Sequence, residues 1–478
     1  MGVKLLSPAR WLPVERRVAI ASAATAVLLV GILGWGDRVA PRIRSANWAG
    51  KQLGARDRVL ILAFSRLMDE ASVEANLTFD PPLPGRTRWS GRRLIYTLEA
   101  PLRYGQTYML RLPEAQDRQG RSITEPYELQ VETRDRQFLA IGTEGKSAGR
   151  LIHVNLTQGT AALVTPPELD VSELAVGADG DTVYYFASDR GSARQQLYQL
   201  SLSERQSELL LDGDTYQNFR LRVSPDGALA IVERLAPNRR GETELWVRST
   251  PRDRFAPLDL EEATGGGDFS IAPDNNSLIV SQGQGLAIVP LAEDSGTPDF
   301  LPQFGQVVAI SADGSAAAAV QFNSDFSETL SVVTHTGQRY DLARASGSIH
   351  AGAFAPTGTR FYAAIGTADP ETYAERPQVT LYDWEARSQS TLVELNYPAE
   401  LEFDLAPDET ALLYSARSLD LGTASEVTQD SDPIESLTSE STQDDLIHVL
   451  ELGDPAGKDS ARQLTLTSIV GRQVTWLP

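Results

Sequence analysis

A short hairpin turn that recurs along the chain constrains the fold more than any other feature of these 478 residues. In each copy a hydrophobic strand leads into Asp-Gly or a close variant, and a second hydrophobic strand follows. The copies occupy 176–188, 223–233, 271–281, 310–320, 354–364 and 405–415, and their turn positions, from Asp179 to Asp408, are 47, 48, 39, 44 and 51 residues apart. Asp can cap the backbone at such a turn and Gly can take a positive φ, so each copy predicts a tight β-hairpin.

The spacing of the turns predicts the larger architecture. A period of about 40–50 residues suits a four-stranded propeller blade, and further strand-like runs follow each turn. The segment 138–164 has three strands of a blade but lacks the first, whereas 472–478 (RQVTWLP) resembles an isolated first strand. Pairing these two pieces would remove exposed sheet edges. We therefore expect a β-propeller over 138–478 with seven blades, six being the alternative.

The Ser-Pro-Asp-Gly core of the turn, seen at 224–227, resembles that of the TolB-like and WD40-like propeller families. The resemblance extends over 138–478.

One stretch interrupts the repeated strands, because 418–445 contains eight acidic and no basic residues. We interpret this stretch as an acidic, disordered insert in the last blade. A calcium site at Asp430, Asp432 and Glu435 stays open, although the spacing lacks the Gly and terminal Glu of a dedicated loop.

The N-terminus predicts a membrane anchor. Residues 18–36 carry no charge over nineteen positions, which is about the length needed to cross a bilayer as a helix. Trp11 and Trp35 flank the stretch, and Pro41 opposes signal-peptide cleavage after Val39-Ala40. We expect a cytoplasmic tail at 1–17, a retained signal anchor at 18–36 and a linker at 37–56. A cleaved signal peptide is the rival interpretation.

Flanking charge leaves the orientation of this anchor nearly balanced, because Arg16 and Arg17 precede the helix and Arg38, Arg42 and Arg44 follow it. We place the C-terminal bulk outside the cytoplasm, in the periplasm or on the cell surface, because of the module that follows.

Residues 57–135 predict a small β-sandwich. Six strand-like runs, 59–64, 76–79, 87–90, 93–98, 107–112 and 127–133, alternate with turn residues. The run from Phe64 to Asp69 (FSRLMD) resembles the opening of bacterial Ig-like domains of the S-layer type, and Trp89-Ser90, Leu94-x-Tyr96 and Asp117-x-x-Gly120 follow in the order of that family. The resemblance implies a spacer or adhesive module of a cell-surface protein. The whole fold is therefore expected to be all-β with one N-terminal transmembrane helix.

Charge and composition exclude several partners and chemistries. The chain carries 43 Lys and Arg against 64 Asp and Glu, a net charge of -21 that opposes binding to nucleic acid. It contains no cysteine, which excludes disulfides, zinc thiolates and thiol nucleophiles. No G-x-S-x-G elbow, H-E-x-x-H motif, P-loop or Rossmann fingerprint is present, so we predict no catalytic residue, metal or cofactor.

Binding is the function that remains, and the loops that lead into each innermost strand form the wide face of a propeller. The candidate binding residues on that face are Tyr216, Asn218, Asp268, Phe304, Gln306, His350, Tyr397 and Arg472. We predict a membrane-anchored binding or scaffold protein that recruits a protein or cell-envelope ligand. The alternatives are a hydrolase or lyase with its site in the propeller funnel, and an architectural envelope protein.

Overall fold

The computed structural model describes residues 13–36, 40–235, 243–249, 253–258, 267–282, 285–291, 299–356, 359–419, 445–452 and 463–478. Strands predominate in these ranges, and the two α-helices found there are α1 (Pro13–Gly36) and α2 (Glu70–Asn76). The chain divides into two compact units. One comprises 1–51, 59–98 and 107–131, and the other comprises 52–58, 99–106 and 132–478.

Helix α1 includes the whole stretch that was predicted to cross a membrane. Its apolar side chains Val18, Ile20, Val27 and Leu28 are exposed. Across the described ranges, no helix combines the length and the apolar character that a membrane crossing requires. The signal anchor therefore stays a prediction from sequence.

Two four-stranded sheets form between residues 43 and 133. Their strands are β1 (Ile43–Ala46), β2 (Gln52–Leu53), β3 (Val59–Phe64), β4 (Thr78–Asp80), β5 (Gly85–Ser90), β6 (Arg93–Leu98), β7 (Thr107–Leu112) and β8 (Tyr127–Thr133). One sheet has the order β1-β3-β6-β5 and the other β2-β8-β7-β4. All six predicted strands are present, and β3, β6, β7 and β8 have the predicted bounds.

Strands β1 and β2 lie in 37–56, where the sequence predicted a linker. They are too short and too polar to show a two-residue hydrophobic period, which is why sequence reasoning missed them. The residues that carry the Ig-like resemblance have packing roles. Met68 is buried, and the rings of Phe64 and Trp89 stack with centroids 5.8 Å apart. The S-layer family assignment itself stays a prediction.

The second unit contains a regular series of strands. They are β9 (Gln137–Gly142), β10 (Leu151–Asn155), β11 (Thr160–Leu163), β12 (Leu169–Val176), β13 (Thr182–Asp189), β14 (Gln196–Ser201), β15 (Gln206–Leu211), β16 (Gln217–Val223), β17 (Ala230–Leu235), β18 (Thr243–Arg248), β19 (Ala256–Pro257), β20 (Phe269–Ile271), β21 (Ser277–Gln282), β22 (Gly285–Pro290), β23 (Asp299–Leu301), β24 (Gln306–Ile310), β25 (Ala316–Phe322), β26 (Glu328–Thr334), β27 (Arg339–Ala345), β28 (Ile349–Phe354), β29 (Arg360–Ala368), β30 (Glu375–Asp383), β31 (Ser388–Glu394), β32 (Ala399–Leu405), β33 (Ala411–Ser418), β34 (Leu446–Glu451) and β35 (Gln463–Trp476).

Consecutive strands pair antiparallel in this unit. Strands β12 to β31 form five separate four-stranded sheets in chain order, here called blades 2 to 6. The remaining strands form one sheet with the order β11-β10-β9-β35-β34-β33-β32. This topology is of the β-propeller type.

Strand β35 is shared between the ends of the series. Its first part pairs with β34, as in Leu450↔Leu464, and its last part pairs with β9, as in Trp476↔Phe138. The C-terminal residues therefore complete blade 1 (β9, β10, β11) as predicted, and blade 7 consists of β32, β33, β34 and the first part of β35. Over the described residues this gives seven four-stranded blades.

Most neighbouring blades meet through their first strands, whereas blades 4 and 5 meet where β24 contacts β21 and β22. Strand β12 contacts β16, β16 contacts β20, β24 contacts β28, and β28 contacts β32. Strand β35 contacts both β32 and β12. Side chains that alternate along the second strand of each blade pack against the blades on either side, as Tyr184 and Tyr185 do. The core of this unit is therefore divided into layers between blades.

The recurring turns within the described residues have the predicted chemistry, and the turn at Thr357-Gly358 lies outside them. The Asp226 carboxylate accepts hydrogen bonds from Ser224 Oγ at 2.7 Å and from the Ala228 amide at 2.9 Å. Gly227 has a φ of 74°, and a Cβ there would lie 2.9 Å from the Ala178 nitrogen, so the position needs glycine. Asn275 replaces the glycine in blade 4 with a φ of 59°, a conformation that Asn tolerates better than most residues.

Candidate functional site

Charged side chains on the first strands form a cluster that connects blades 2, 3 and 4. Arg222 on β16 lies 3.3 Å from Glu173 Oε1 on β12 and 3.0 Å from Asp268 Oδ1, just before β20. Arg220 contacts the same Asp268 oxygen at 3.3 Å and Glu233 at 2.8 Å. Burial raises the pKa of Glu173, although Arg222 opposes the shift. We call these five residues the first charge cluster.

A second charge cluster lies on blade 7 and β35 and surrounds a small pocket. The pocket has a volume of about 20 Å³, which is room for roughly one water molecule. Arg417 pairs with Asp445 at 2.6 Å. The lining residues are Glu400, Glu402, Ser415, Arg417, Asp445 and Arg472.

Two carboxylates of β32 accept hydrogen bonds from backbone amides in an irregular part of β35. The register of β35 against β9 shifts between Arg472 and Thr475, and Gln473 has a positive φ of 49°. Glu402 Oε2 accepts a hydrogen bond from the Gln473 amide, and Asp404 Oδ2 accepts one from the Trp476 amide at 2.7 Å. Burial raises the pKa of Glu402, and it raises the pKa of Asp404 to about 7. The bulge thus obtains acceptors from blade 7.

A third group of polar side chains lies between blades 5 and 6. His350 Nε2 on β28 is 3.2 Å from Glu375 Oε2, and Glu375 also accepts hydrogen bonds from the amide and hydroxyl of Ser348 at 3.0 and 2.9 Å. Glu328 Oε2 accepts a hydrogen bond from the Ile349 amide at 2.7 Å. Burial raises the pKa of Glu328, and the Glu375 charge adds to that shift.

Three of the predicted binding residues have packing roles. Asn218 is buried; its amide donates to Gln195 O at 2.7 Å and its Oδ1 accepts from Arg234 Nε at 2.8 Å. Tyr216 is half-buried, and the Arg234 guanidinium lies 4.6 Å from its ring centroid. Phe304 is buried in a small apolar cluster between blades 4 and 5.

The other predicted residues belong to different parts of the unit. Asp268 lies in the first charge cluster, Arg472 lines the second, and His350 belongs to the third group. Gln306 is the first residue of β24 and is half-buried. Tyr397 is half-buried just before β32. Burial is the main cause of the raised pKa of Tyr414, and the charge of Tyr397 adds to that shift. The structure thus distributes these residues over several clusters.

Sequence reasoning missed the charged residues within the strands that pair with the predicted site residues in the charge clusters. Glu173 and Glu402 lie in strands whose other residues are mostly apolar, and a charge in such an innermost strand was a signal that could have been used. Arg222 lies in β16, where half of the other residues are polar, so that signal is weaker there. In the part of the chain that the structure describes, no three His, Asp or Glu residues are arranged to hold a metal ion. The acidic insert lies almost entirely outside the described residues, which resume at Asp445.

Comparisons with known proteins concern the fold. The family described as the N-terminal region of dipeptidyl peptidase IV matches residues 116–239, less than half of the chain. A comparison with curated proteins finds no match.

Three solved structures illustrate the likeness. TolB from Acinetobacter baumannii is 12% identical with a TM-score of 0.41, and the match covers 67% of this chain and 80% of that one. A putative 6-phosphogluconolactonase from Bacteroides fragilis is 14% identical with a TM-score of 0.45, covering 72% and 98%. An oligogalacturonate lyase from Vibrio parahaemolyticus is 10% identical with a TM-score of 0.44, covering 70% and 93%. All three are 10–14% identical to this chain with TM-scores below 0.5, so the propeller-type topology rests on the strand order of the chain itself.

Proposed function

We propose that this protein is a binding or scaffold protein of the cell envelope. In this proposal residues 18–36 anchor it in the membrane, the bulk of the chain lies outside the cytoplasm, and the Ig-like module is a spacer. The seven blades close into a ring whose wide face recruits a protein or a cell-wall ligand.

The observation that carries the proposal is a set of partly exposed charged side chains on β16, just before β20 and on β33. Arg222 and Asp268 are each 37% exposed in their side chains and Arg417 is 39% exposed, so polar ligands can reach them. Their charges are matched in pairs, which favours rigid recognition over proton transfer.

Recruitment is testable by affinity purification with the full chain in mild detergent. The bait must include β1 and β2, which precede Arg56. We expect a reproducible partner that is lost when Arg472 and Tyr397 are both replaced by Ala, and retained with the exposed control Glu208→Ala on β15. Recovery of no partner by the unaltered chain in mild salt would contradict recruitment and favour the architectural alternative.

The anchor and its orientation have a separate test. We expect the full chain to stay in the membrane fraction after alkaline carbonate extraction and a variant without residues 1–39 to be released. A C-terminal alkaline phosphatase fusion, which is active only outside the cytoplasm, should be active. Activity of a cytoplasm-dependent fluorescent fusion instead would overturn the orientation.

A second candidate function, a hydrolase or lyase, rests on the group around His350. The pairing of His350 with Glu375, beside Glu328 with its raised pKa, resembles an acid–base arrangement. If this candidate is correct, turnover of a panel of nitrophenyl glycosides and esters should be detectable and should fall at least about 100-fold in Glu375→Gln. Absence of turnover across the panel would favour binding.

A further inference from the structure

Blade 5 differs from the other blades at the face that it turns toward the preceding blade. In each blade with a recurring turn, the fourth and sixth residues after the turn position point to the preceding blade. The pairs are Val183 and Tyr185, Ala230 and Val232, Leu278 and Val280, Ala317 and Ala319, Phe361 and Ala363, and Leu412 and Tyr414. Blade 5 is the one of these six in which both residues are alanine.

The missing side-chain volume leaves a groove between blades 4 and 5. Its volume is about 590 Å³, within the range of sites that bind ligands. Apolar, half-buried side chains line it from both blades: Ile279, Ile288, Leu301, Val307, Ile310 and Ala317. Three buried side chains, Leu286, Phe304 and Ala319, also line it and form only a small apolar cluster. Elsewhere in the unit, larger side chains such as Tyr185 and Tyr414 fill the corresponding space.

The rim of the groove is acidic. Asp274 and Asp313 line it where the two turns lie, and both residues are exposed. Each carboxylate accepts one turn amide, Asn276 N at 2.9 Å or Ser315 N at 3.0 Å, which fixes its position without neutralising it. Hydrogen bonds from the Ser315 hydroxyl and amide lower the pKa of Asp313. His335 is the other ionisable residue among the described lining residues.

We propose that this groove is a docking site for an extended peptide segment of a partner protein, in which apolar side chains alternate with basic ones. The apolar side chains enter the groove because an extended segment places alternate residues on one side. The basic side chains then face Asp274 and Asp313, and the net charge of -21 favours approach of such a segment. The proposal does not depend on the function proposed above, although Phe304, one of the candidate wide-face residues, also lines the groove.

The test measures binding of a fluorescein-labelled hexapeptide of alternating lysine and leucine or phenylalanine to the full chain, by fluorescence anisotropy. The matched probe has glutamate in place of lysine. We expect saturable binding of the lysine peptide and at least about tenfold weaker binding of the glutamate peptide, a difference that shrinks at high salt.

Two variants examine the groove and its rim separately. Ala317→Leu/Ala319→Tyr fills the groove and should weaken lysine-peptide binding at least about tenfold, whereas Ala161→Leu on exposed β11 should not. Asp274→Asn/Asp313→Asn keeps the turn acceptors but removes both charges. It should weaken the lysine peptide about threefold to tenfold and abolish discrimination between the two peptides. Melting temperatures near that of the unaltered chain verify folding.

Several results would overturn the proposal. They are undiminished lysine-peptide binding by the filled variant, equal binding of both peptides by the unaltered chain, or no saturable binding at all. Binding of dodecyltrimethylammonium to the groove without peptide binding would indicate a small-amphiphile site instead. If the filled variant fails to fold, the charge-neutral variant decides alone, because peptide discrimination that survives in it contradicts the proposed rim contacts.

Discussion

Two carboxylates, Asp404 and Asp117, show how opposite environments give opposite responses to pH. Asp404 is half-buried, and burial raises its pKa to about 7. Hydrogen bonds from the amides of Trp476 and Leu405 lower the pKa but do not offset the effect of burial. Burial of Asp117 would also raise its pKa, but hydrogen bonds from Arg121 and Gln119 lower it overall. The two residues therefore affect folding stability in different pH ranges.

Asp404→Asn is expected to flatten the pH dependence of the stability of the second unit. Because the folded-state pKa is raised, the contribution of Asp404 to stability is fully present below about pH 4 and is lost as pH rises through about 7. The variant loses one acceptor oxygen at every pH but not this contribution, so its stability relative to the unaltered chain should rise by about 1–2 kcal/mol between pH 4 and pH 8. Chemical denaturation between pH 4 and 8 measures the effect. The exposed control Asp299→Asn should follow the unaltered chain, and equal pH slopes for all three proteins would refute the expectation.

Asp117→Ala is expected to destabilise the first unit by about 2–4 kcal/mol at neutral pH, because it removes an acceptor of several hydrogen bonds. They come from the Gln119 and Arg121 amides at 2.9 and 3.0 Å and from Arg121 Nε at 2.8 Å. Since the folded-state pKa is lowered, this stability is present above the unfolded pKa and is lost as pH falls through the folded pKa. Thermal melts at pH 7 and pH 3 should therefore show a smaller difference at pH 3.

Two further variants serve as references for Asp117. Asp117→Asn keeps one acceptor oxygen and should have an intermediate effect, and exposed Glu114→Ala should change stability by less than about 0.5 kcal/mol. An unchanged melting temperature for Asp117→Ala would show that the hydrogen bonds to Asp117 contribute nothing measurable to the stability of the first unit.

Among the elements, β35 has the widest role because it belongs to two blades. Trp476 is 3% exposed and its ring centroid lies 6.0 Å from that of Phe138. Trp476→Ala should destabilise the second unit by about 3–5 kcal/mol through the loss of buried apolar surface. Hydrogen exchange should show lost protection in both β35 and β9. Phe326→Ala is the control, because Phe326 is 94% exposed and should change stability by less than about 0.5 kcal/mol.

The elements were largely predictable because their signals are local. The turn residues from Asp179 to Asp408 specify hairpins within a few positions, and RQVTWLP could be matched to FLAIGT by counting strands. Which charged residues pair with one another was not predictable, because Arg222 and Asp268 are 46 residues apart and meet only when adjacent blades pack. For the same reason sequence alone could not show that Asn218 and Phe304 are buried, because their predicted positions in loops before the innermost strands suggested a surface role.

At the scale of the whole molecule, the balance of charge gives a direct expectation. With a net charge of -21 the full chain should not retard a labelled duplex DNA or a single-stranded RNA in gels at about 150 mM salt, because both ligands are polyanions. Five of the ten basic residues within 1–60 lie in 1–39 and oppose this behaviour locally, so a variant without residues 1–39 is the matched comparison. A salt-sensitive shift by that shortened chain would contradict the expectation.

The sharing of β35 between blades 1 and 7 also has a consequence for biosynthesis. Gly142 on β9 pairs with Gly471 on β35. A further 329 residues must therefore be translated after Gly142 before this edge of the first blade can pair. At ribosomal rates of about 5–20 residues per second, this takes roughly 15–65 s. During that interval β9 presents unpaired amides and carbonyls beside apolar residues. The nascent chain is therefore most exposed to wrong pairing at the blade that it makes first.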